Sequence, residues 1–188
     1  LGINARIDII PNGVNTQHFR PATSQEERDD LRLKLGIPQQ AEVMLYVGSL
    51  IKRKGVDLLL EAWSKITVNH PTAYLLLVGP TSEDMLQYLQ KNQEHHKINA
   101  LLSGAKKDSR VILAGWVKNV AEYLRIADIF VFPSSREGMP NALLEAFSSG
   151  VASILTPYLG LSREMGRAGE HYLLTERSVE ALADAMQA

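Results

Sequence analysis

Five short apolar runs constrain the fold of this chain more than any other feature of its sequence. They are residues 43–47, 75–78, 111–113, 129–132 and 151–155. Within each run apolar residues follow one another almost without alternation, which is typical of strands buried on both faces of a parallel sheet. Four runs are closed by a residue that favours turns: Gly48, Gly79, Gly115 and Pro133.

The segments between the runs have helical periodicity. Apolar residues recur every three or four positions within residues 58–66, 120–127 and 143–147, and Ser178 precedes a last helix predicted over residues 179–187. The polar stretch 81–108 is predicted to hold a helix and a surface excursion. Strands that alternate with helices predict the α/β class, as a doubly wound parallel sheet of the Rossmann-like kind. Such sheets bind ligands at the carboxyl ends of their strands.

Length and composition fit one globular domain over residues 1–188. The chain is 45% hydrophobic with a formal net charge of −1, so it has no basic field that would attract nucleic acid. It has no cysteine, and its apolar runs are too short to cross a bilayer. We therefore expect a cytoplasmic protein. Because the sequence starts without Met and stops soon after a helical pattern, we also expect it to be part of a longer protein.

Three consecutive cations occupy the loop after the first apolar run. Lys52, Arg53 and Lys54 lie within residues 48–55, beside a helix predicted to start near Val56. Helix N-termini bind anions, as do Arg and Lys side chains. On this segment alone, the pattern fits either a phosphate site or a solvated basic turn. It has neither the Walker A nor the GxGxxG spacing.

A second loop runs from the fourth apolar run into a helix. Pro140 is predicted at the first helical position, which would leave the N–H groups of Asn141, Ala142 and Leu143 free for a phosphate. Gly138 would let a ligand approach the backbone closely. This loop and the first one should meet at one edge of the sheet.

Two glutamates are separated by seven residues along this second loop and its helix. Glu137 is predicted in the loop and Glu145 more than one turn into the helix, so they can contact different parts of an extended ligand. Carboxylates accept hydrogen bonds from sugar hydroxyls. The alternative, in which Glu145 only faces solvent, is disfavoured by its apolar neighbours Leu143, Leu144, Ala146 and Phe147.

The pair resembles the E-x7-E motif of retaining glycosyltransferases with two Rossmann-like domains, the GT-B arrangement. Its setting, Pro-Ser-x-x-Glu-Gly-x-Pro-Asn-x-x-Leu-Glu-Ala from Pro133, is similar to family 4, also called group 1. Residues 10–15, 46–55, 127–134 and 150–152 match in the same order, so the resemblance covers most of the chain. It implies the C-terminal, donor-binding half of a GT-B enzyme that transfers a sugar from a nucleotide donor to an acceptor hydroxyl.

The resemblance implies a role for each matching residue. Arg53 and Lys54 would bind the donor diphosphate, Glu137 the hydroxyls of the transferred sugar, and Glu145 those of the ribose. Arg53, Lys54 and Glu137 are thereby the candidate catalytic residues. The other candidate donor contacts are Gly48, Ser49, Trp116, Val117, Gly138, Met139, Pro140, Asn141 and Ala142. Trp116 and Val117 would border the base.

The chain departs from the family pattern in two places. Ser49 stands where many relatives have Arg, so one phosphate contact is expected to be missing, and the turn before Glu164 is irregular, so Glu164 receives no role. No metal or cofactor is expected, because the five histidines lack metal-ligand spacing. The donor would be a UDP-sugar, or a GDP- or ADP-sugar. An absent N-terminal domain would bind the unknown acceptor and could hold the protein at a membrane surface.

Three alternatives stay open at this point. A GT-B phosphorylase or an NDP-sugar epimerase would share the architecture without this setting of the two glutamates. A non-catalytic nucleotide-binding or regulatory module would bind a nucleotide without transferring a sugar.

Overall fold

The computed structural model describes residue 8 and the ranges 10–81 and 93–188, with the side chains of residues 93–95 excepted. Within these ranges the strands are β1 Glu42–Val47, β2 Ala73–Val78, β3 Val111–Gly115, β4 Ile129–Phe132, β5 Ala152–Leu155 and β6 Leu173–Leu174. The α-helices are α1 Gln25–Lys34, α2 Val56–Ile66, α3 Gln93–Ala105, α4 Val120–Ile126, α5 Asn141–Ser148 and α6 Val179–Gln187. Helix α3 confirms the helix expected within residues 81–108. The part of the surface excursion expected at residues 82–92 lies outside the described residues.

All six strands form one parallel sheet in the order β3-β2-β1-β4-β5-β6. This order confirms the predicted α/β class and the parallel sheet. The chain fills one half of the sheet outward from β1 and then returns to fill the other half from β4. The order therefore reverses between β1 and β4, and doubly wound sheets bind their ligands in the crevice at that reversal.

Helices cover both faces of the sheet, as a doubly wound fold requires. Helices α2, α3 and α6 bury their apolar residues in one core, and α4 and α5 contribute to a second core on the other face. Helix α1 packs on α4. The last helix starts as predicted, because the hydroxyl of Ser178 accepts a hydrogen bond from the N–H of Ala181 at 3.2 Å. Among the described residues, no helix is long and apolar enough to cross a membrane.

An ion cluster fastens α1 to the amino edge of the sheet. Asp128, just before β4, pairs with Arg28 at 2.5 Å and with Arg32 at 3.0 Å. The same carboxylate accepts a hydrogen bond from the N–H of Val43, at 2.8 Å. Arg32 is only 4% exposed and also donates to the carbonyl oxygen of Ile126, at 3.1 Å. A buried guanidinium needs such partners to offset its desolvation, so the cluster determines how α1 is attached.

Candidate functional site

The strand order brings the two candidate loops together. Strands β1 and β4 are neighbours, with Met44 opposite Ile129 and Leu45 opposite Phe130. Their carboxyl ends lead directly into residues 48–55 and 133–140. The expected meeting of these loops at one edge of the sheet is therefore observed, at the point where the strand order reverses.

The two loops touch through their backbones. Gly55 ends a single 3-10 turn, Lys52–Lys54, with a φ of 77°, and a Cβ atom placed on it would lie 2.0 Å from the carbonyl oxygen of Pro133. No side chain fits there, so this close approach requires glycine. The N–H of Ser135 also donates to the carbonyl oxygen of Arg53, at 3.1 Å. These contacts fix the cationic loop against the loop that carries Glu137.

Lys54 and Glu137 form an ion pair between the loops. The Lys54 Nζ atom donates to both carboxylate oxygens, at 2.7 and 2.9 Å, and the Glu137 side chain is 8% exposed. The Arg53 guanidinium lies 3.9 Å from Glu137, donates to the carbonyl oxygen of Arg136 at 2.7 Å, and is 49% exposed. Lys54 thus occupies the centre of the site and Arg53 its rim.

The start of helix α5 differs in two details from the prediction. Pro140 is the N-cap and not the first helical residue. The N–H of Leu143 is also not free, since it donates to the carbonyl oxygen of Pro140 at 3.1 Å. The extended backbone of Pro140 (φ −78°, ψ 107°) turns its carbonyl toward the first turn, which accounts for this bond. The N–H groups of Asn141 and Ala142 belong to the open first turn, where helices present donors to anions.

Residue Asn12 ties the start of the chain to this helix. Its side-chain amide donates to the Asn141 side chain at 2.9 Å and to the carbonyl oxygen of Met139 at 3.2 Å. Its backbone N–H contacts the Met139 sulfur at 3.1 Å. Asn141 and Met139, both candidate donor contacts, are therefore held from one side by the segment around Asn12.

Glu145 is half-buried on α5. Burial raises the pKa of its carboxyl group above the ordinary value, and the nearby charge of His18 offsets part of this rise. The alternative in which Glu145 faces only solvent is therefore wrong. A carboxylate in partial burial gains from hydroxyl donors supplied by a ligand.

The β3 end of the site is more open. Trp116 is 71% exposed and Val117 half-buried, and they follow β3, two strands and about 10 Å away from β1. The structure thus places them at the same edge as Glu137 but not against it. Gly79 lies between them and the cationic loop. A Cβ atom on Gly79 would come within 2.1 Å of the carbonyl oxygen of Gly48, so only glycine allows these two backbones to approach so closely.

The hydroxyl of Tyr46 supports the loop after β1 from below. It donates to the carbonyl oxygen of Ser49 at 2.8 Å, and Tyr46 is 1% exposed. Burial, followed by the charge of Glu137, raises the pKa of Tyr46, so it stays protonated and keeps donating. Ser49 therefore contributes a fixed backbone to the loop.

Comparison with known proteins identifies the family. The family model described as "Glycosyl transferases group 1" matches residues 41–188. The chain belongs to the group 1 glycosyltransferases. The resemblance inferred from the two glutamates is thereby confirmed.

Relatives of this glycosyltransferase chain are longer than it is. It is 31% identical over 180 residues to TuaC of Bacillus subtilis (strain 168), named as a glycosyltransferase of teichuronic acid biosynthesis, with 95% of this chain and 40% of TuaC covered. It is 28% identical to an Escherichia coli protein named UDP-Gal:alpha-D-GlcNAc-diphosphoundecaprenol alpha-1,3-galactosyltransferase, covering 96% and 44%. The chain spans less than half the length of both.

A solved structure matches the chain as a separate domain. It is the C-terminal domain of the group 1 glycosyltransferase LpcC from Francisella tularensis, with 25% identity and a TM-score of 0.75. The match covers 93% of this chain and 86% of that one. The fold is therefore that of the C-terminal domain of a GT-B glycosyltransferase.

Sequence reasoning assigned no role to some residues of this candidate site. The hydroxyl of Ser134 donates to Glu137 at 2.5 Å, and the N–H of Glu137 donates to the carbonyl oxygen of Leu159 at 3.0 Å. A Cβ atom on Gly160 would lie 1.9 Å from the carbonyl oxygen of Glu137. The loop after β5 therefore supports Glu137, and only the position of Ser134 at the end of β4 signalled any of this. In the ranges that the structure describes, no group of three His, Asp or Glu side chains could hold a metal ion.

Proposed function

We propose that this chain is the donor-binding domain of a retaining glycosyltransferase, which moves a sugar from a nucleoside diphosphate to an acceptor hydroxyl. The observation that carries the proposal is the Lys54–Glu137 ion pair beside the open first turn of α5. A cation and backbone N–H groups suited to a diphosphate lie next to a carboxylate suited to sugar hydroxyls. The greater length of the relatives and the match to a C-terminal domain support a further, N-terminal domain, which we propose binds the acceptor.

Each group would act on a different part of the donor. The Lys54 ammonium and the first-turn N–H groups of Asn141 and Ala142 bind the diphosphate, with Arg53 at the rim. Glu137 accepts hydrogen bonds from the transferred sugar, and Glu145 accepts them from the ribose. Because cations and backbone N–H groups balance the charge of the leaving diphosphate, the proposal requires no metal ion or cofactor.

The donor we propose is a UDP-sugar. The name of the Escherichia coli relative includes UDP-Gal, which supports uridine as the base. Trp116 offers an exposed indole at the β3 end of the same edge, and aromatic rings stack on nucleobases. GDP- and ADP-sugars are the competing donors.

The division of labour between the two glutamates tests the proposal. Glu145→Gln should weaken binding of UDP and of UDP-galactose alike, since both contain the ribose, by roughly tenfold. Glu137→Gln should spare UDP and weaken only the UDP-sugar. Titration calorimetry of both variants with UDP, UDP-glucose and UDP-galactose measures these differences.

Glu180→Gln is the matched control, because Glu180 pairs with Lys65 near the end of α2 that is remote from the site. It should bind all three ligands like the unaltered chain. Binding of no UDP, GDP or ADP compound by the unaltered chain would reject the assignment as a donor domain. Equal losses for Glu137→Gln on UDP and on its sugars would reject the roles given to the two glutamates.

A further inference from the structure

The Glu137 carboxylate has two hydrogen-bonding partners of different character, and the Arg53 guanidinium lies farther off, at 3.9 Å. One is the Lys54 ammonium, which reaches both oxygens at 2.7 and 2.9 Å. The other is the hydroxyl of Ser134, which donates to one oxygen at 2.5 Å. Hydrogen bonds to an ionised acceptor are short and roughly twice as strong as neutral ones. Both partners therefore help to fix the orientation of the Glu137 carboxylate.

On the proposed function, a bound donor affects Lys54 and Ser134 differently. The diphosphate competes with Glu137 for the Lys54 ammonium, whose side chain is 22% exposed and can turn toward a ligand. Ser134 is 1% exposed, so its hydroxyl has no such freedom. A carboxylate that loses one of its hydrogen-bonding partners is freer to reorient. Reorientation would weaken its hydrogen bonds to the sugar.

The backbone around Ser134 is held in place. Its carbonyl oxygen accepts a hydrogen bond from the hydroxyl of Thr156 at 3.3 Å, and the N–H of the next residue, Ser135, is bound to Arg53. The Ser134 hydroxyl lies within 3.4 and 3.5 Å of the carbonyl oxygens of Arg53 and Arg136, but its short contact is with Glu137. The hydroxyl is thus preorganised to serve the carboxylate.

We propose that Ser134 is a positioning residue that keeps the Glu137 carboxylate oriented toward the sugar when the donor diphosphate engages Lys54. It acts through Glu137 and touches no part of the donor itself. Loss of the Ser134 hydroxyl should therefore weaken the binding only of ligands that carry the sugar.

The test compares UDP with UDP-glucose and UDP-galactose by titration calorimetry. Ser134→Ala should lower the affinity for the preferred UDP-sugar by roughly tenfold and change the affinity for UDP by less than about twofold. Ser134→Cys keeps the buried volume filled but offers only a weak donor, and should behave in the same way. Ser135→Ala is the control, since that hydroxyl donates to the carbonyl oxygen of Arg53 at 3.0 Å. It should affect both ligands equally.

A double-mutant cycle with Glu137→Ala separates positioning from general support of the fold, because alanine leaves Ser134 no acceptor at this position. With the carboxylate removed, Ser134→Ala should have no further effect on the UDP-sugar. An undiminished loss in the Glu137→Ala background, or equal losses for UDP and its sugars, overturns the role of Ser134 and leaves the proposed function standing. An unaltered chain that binds neither ligand overturns both.

Discussion

Two carboxylates at opposite edges of the sheet show how similar ion clusters can serve different purposes. Asp128, at the amino edge, binds two arginines and the N–H of Val43. Glu137, at the carboxyl edge, binds Lys54 and the hydroxyl of Ser134, with the Arg53 guanidinium 3.9 Å away. Each carboxylate joins segments that are distant in sequence, and each lies beside β4.

The partners of the two carboxylates account for the difference. Arg32 also donates to the carbonyl oxygens of Ile126 and Gln39, so its guanidinium is committed to the backbone as well as to Asp128. Lys54 ends in a single ammonium at the crevice where the strand order reverses. An ion cluster anchored to backbone carbonyls stabilises a fold. An ion cluster that ends in a partly exposed ammonium at a cleft has room to exchange its partner for a ligand.

The largest effect should come from removing the exchangeable cation. Lys54→Ala in the full-length enzyme should lower kcat by about 10²–10³, because charge that develops on the leaving phosphate loses its counter-charge. The donor KM should rise less, since the first turn of α5 and Glu145 are proposed to bind the ground state as well. Arg53→Ala should be milder, because that side chain is 49% exposed.

Steady-state kinetics with the donor varied at saturating acceptor measures both constants. Lys65→Ala, far from the site on α2, serves as the control. A strong rise in KM with kcat intact would show that Lys54 only binds the donor. It would then contradict the distinction drawn between the Glu137 and Asp128 clusters.

The next largest effect should come from the structural carboxylate. Asp128→Ala leaves the buried guanidinium of Arg32 and the N–H of Val43 each short of a partner. It should reduce the free energy of unfolding by about 2–3 kcal/mol. Urea denaturation measures the loss, and Asp184→Ala on the exposed side of α6 is the control. Affinity for UDP, measured where the variant is folded, should not change; a loss of affinity would show that the two edges are coupled.

The smallest effect concerns Glu145, a carboxylate that lies outside both ion clusters. Burial raises its pKa in the folded state, so ionisation disfavours folding once the pH exceeds the ordinary pKa of about 4.3. Glu145→Gln should therefore melt higher than the unaltered chain at pH 7, by no more than about 2 °C for a half-buried group. The gain should vanish as the pH falls below about 4. Thermal melts at both pH values measure it, and a gain that persists at low pH would refute the electrostatic cause.

The sheet could be predicted because apolar runs report burial directly. All five runs became strands, and the helices starting at Val56 and Val179 were placed correctly. Strand β6, with two residues that are each more than a third exposed, lies in the short apolar stretch Tyr172-Leu173-Leu174 and was missed. Helix α1 was also missed, because its polar sequence has little apolar periodicity. Its only signal was Ser24 three residues before Glu27, and the Ser24 hydroxyl does cap the helix there.

The composition of the site could be predicted, but its internal bonding could not. The loop of cations and the two glutamates were identified from residue types that bind phosphates and hydroxyls. The pairing of Lys54 with Glu137 depends on the adjacency of β1 and β4, which is a property of the strand order. The roles of Ser134 and Asn12 depend on side-chain directions within loops, which neither periodicity nor composition specifies.

The separation of Lys54 and Glu137 along the chain has a consequence for how the site comes into being. The two residues lie 83 positions apart, on loops from the two halves of the sheet. Long-range contacts of this kind form late, because the intervening chain must first lose its freedom. In a chain emerging from the ribosome, Lys54 and Glu137 cannot pair until β4 has docked beside β1. The Lys54–Glu137 pair is thus a marker of completed assembly, because it can form only in a molecule whose two halves have already joined.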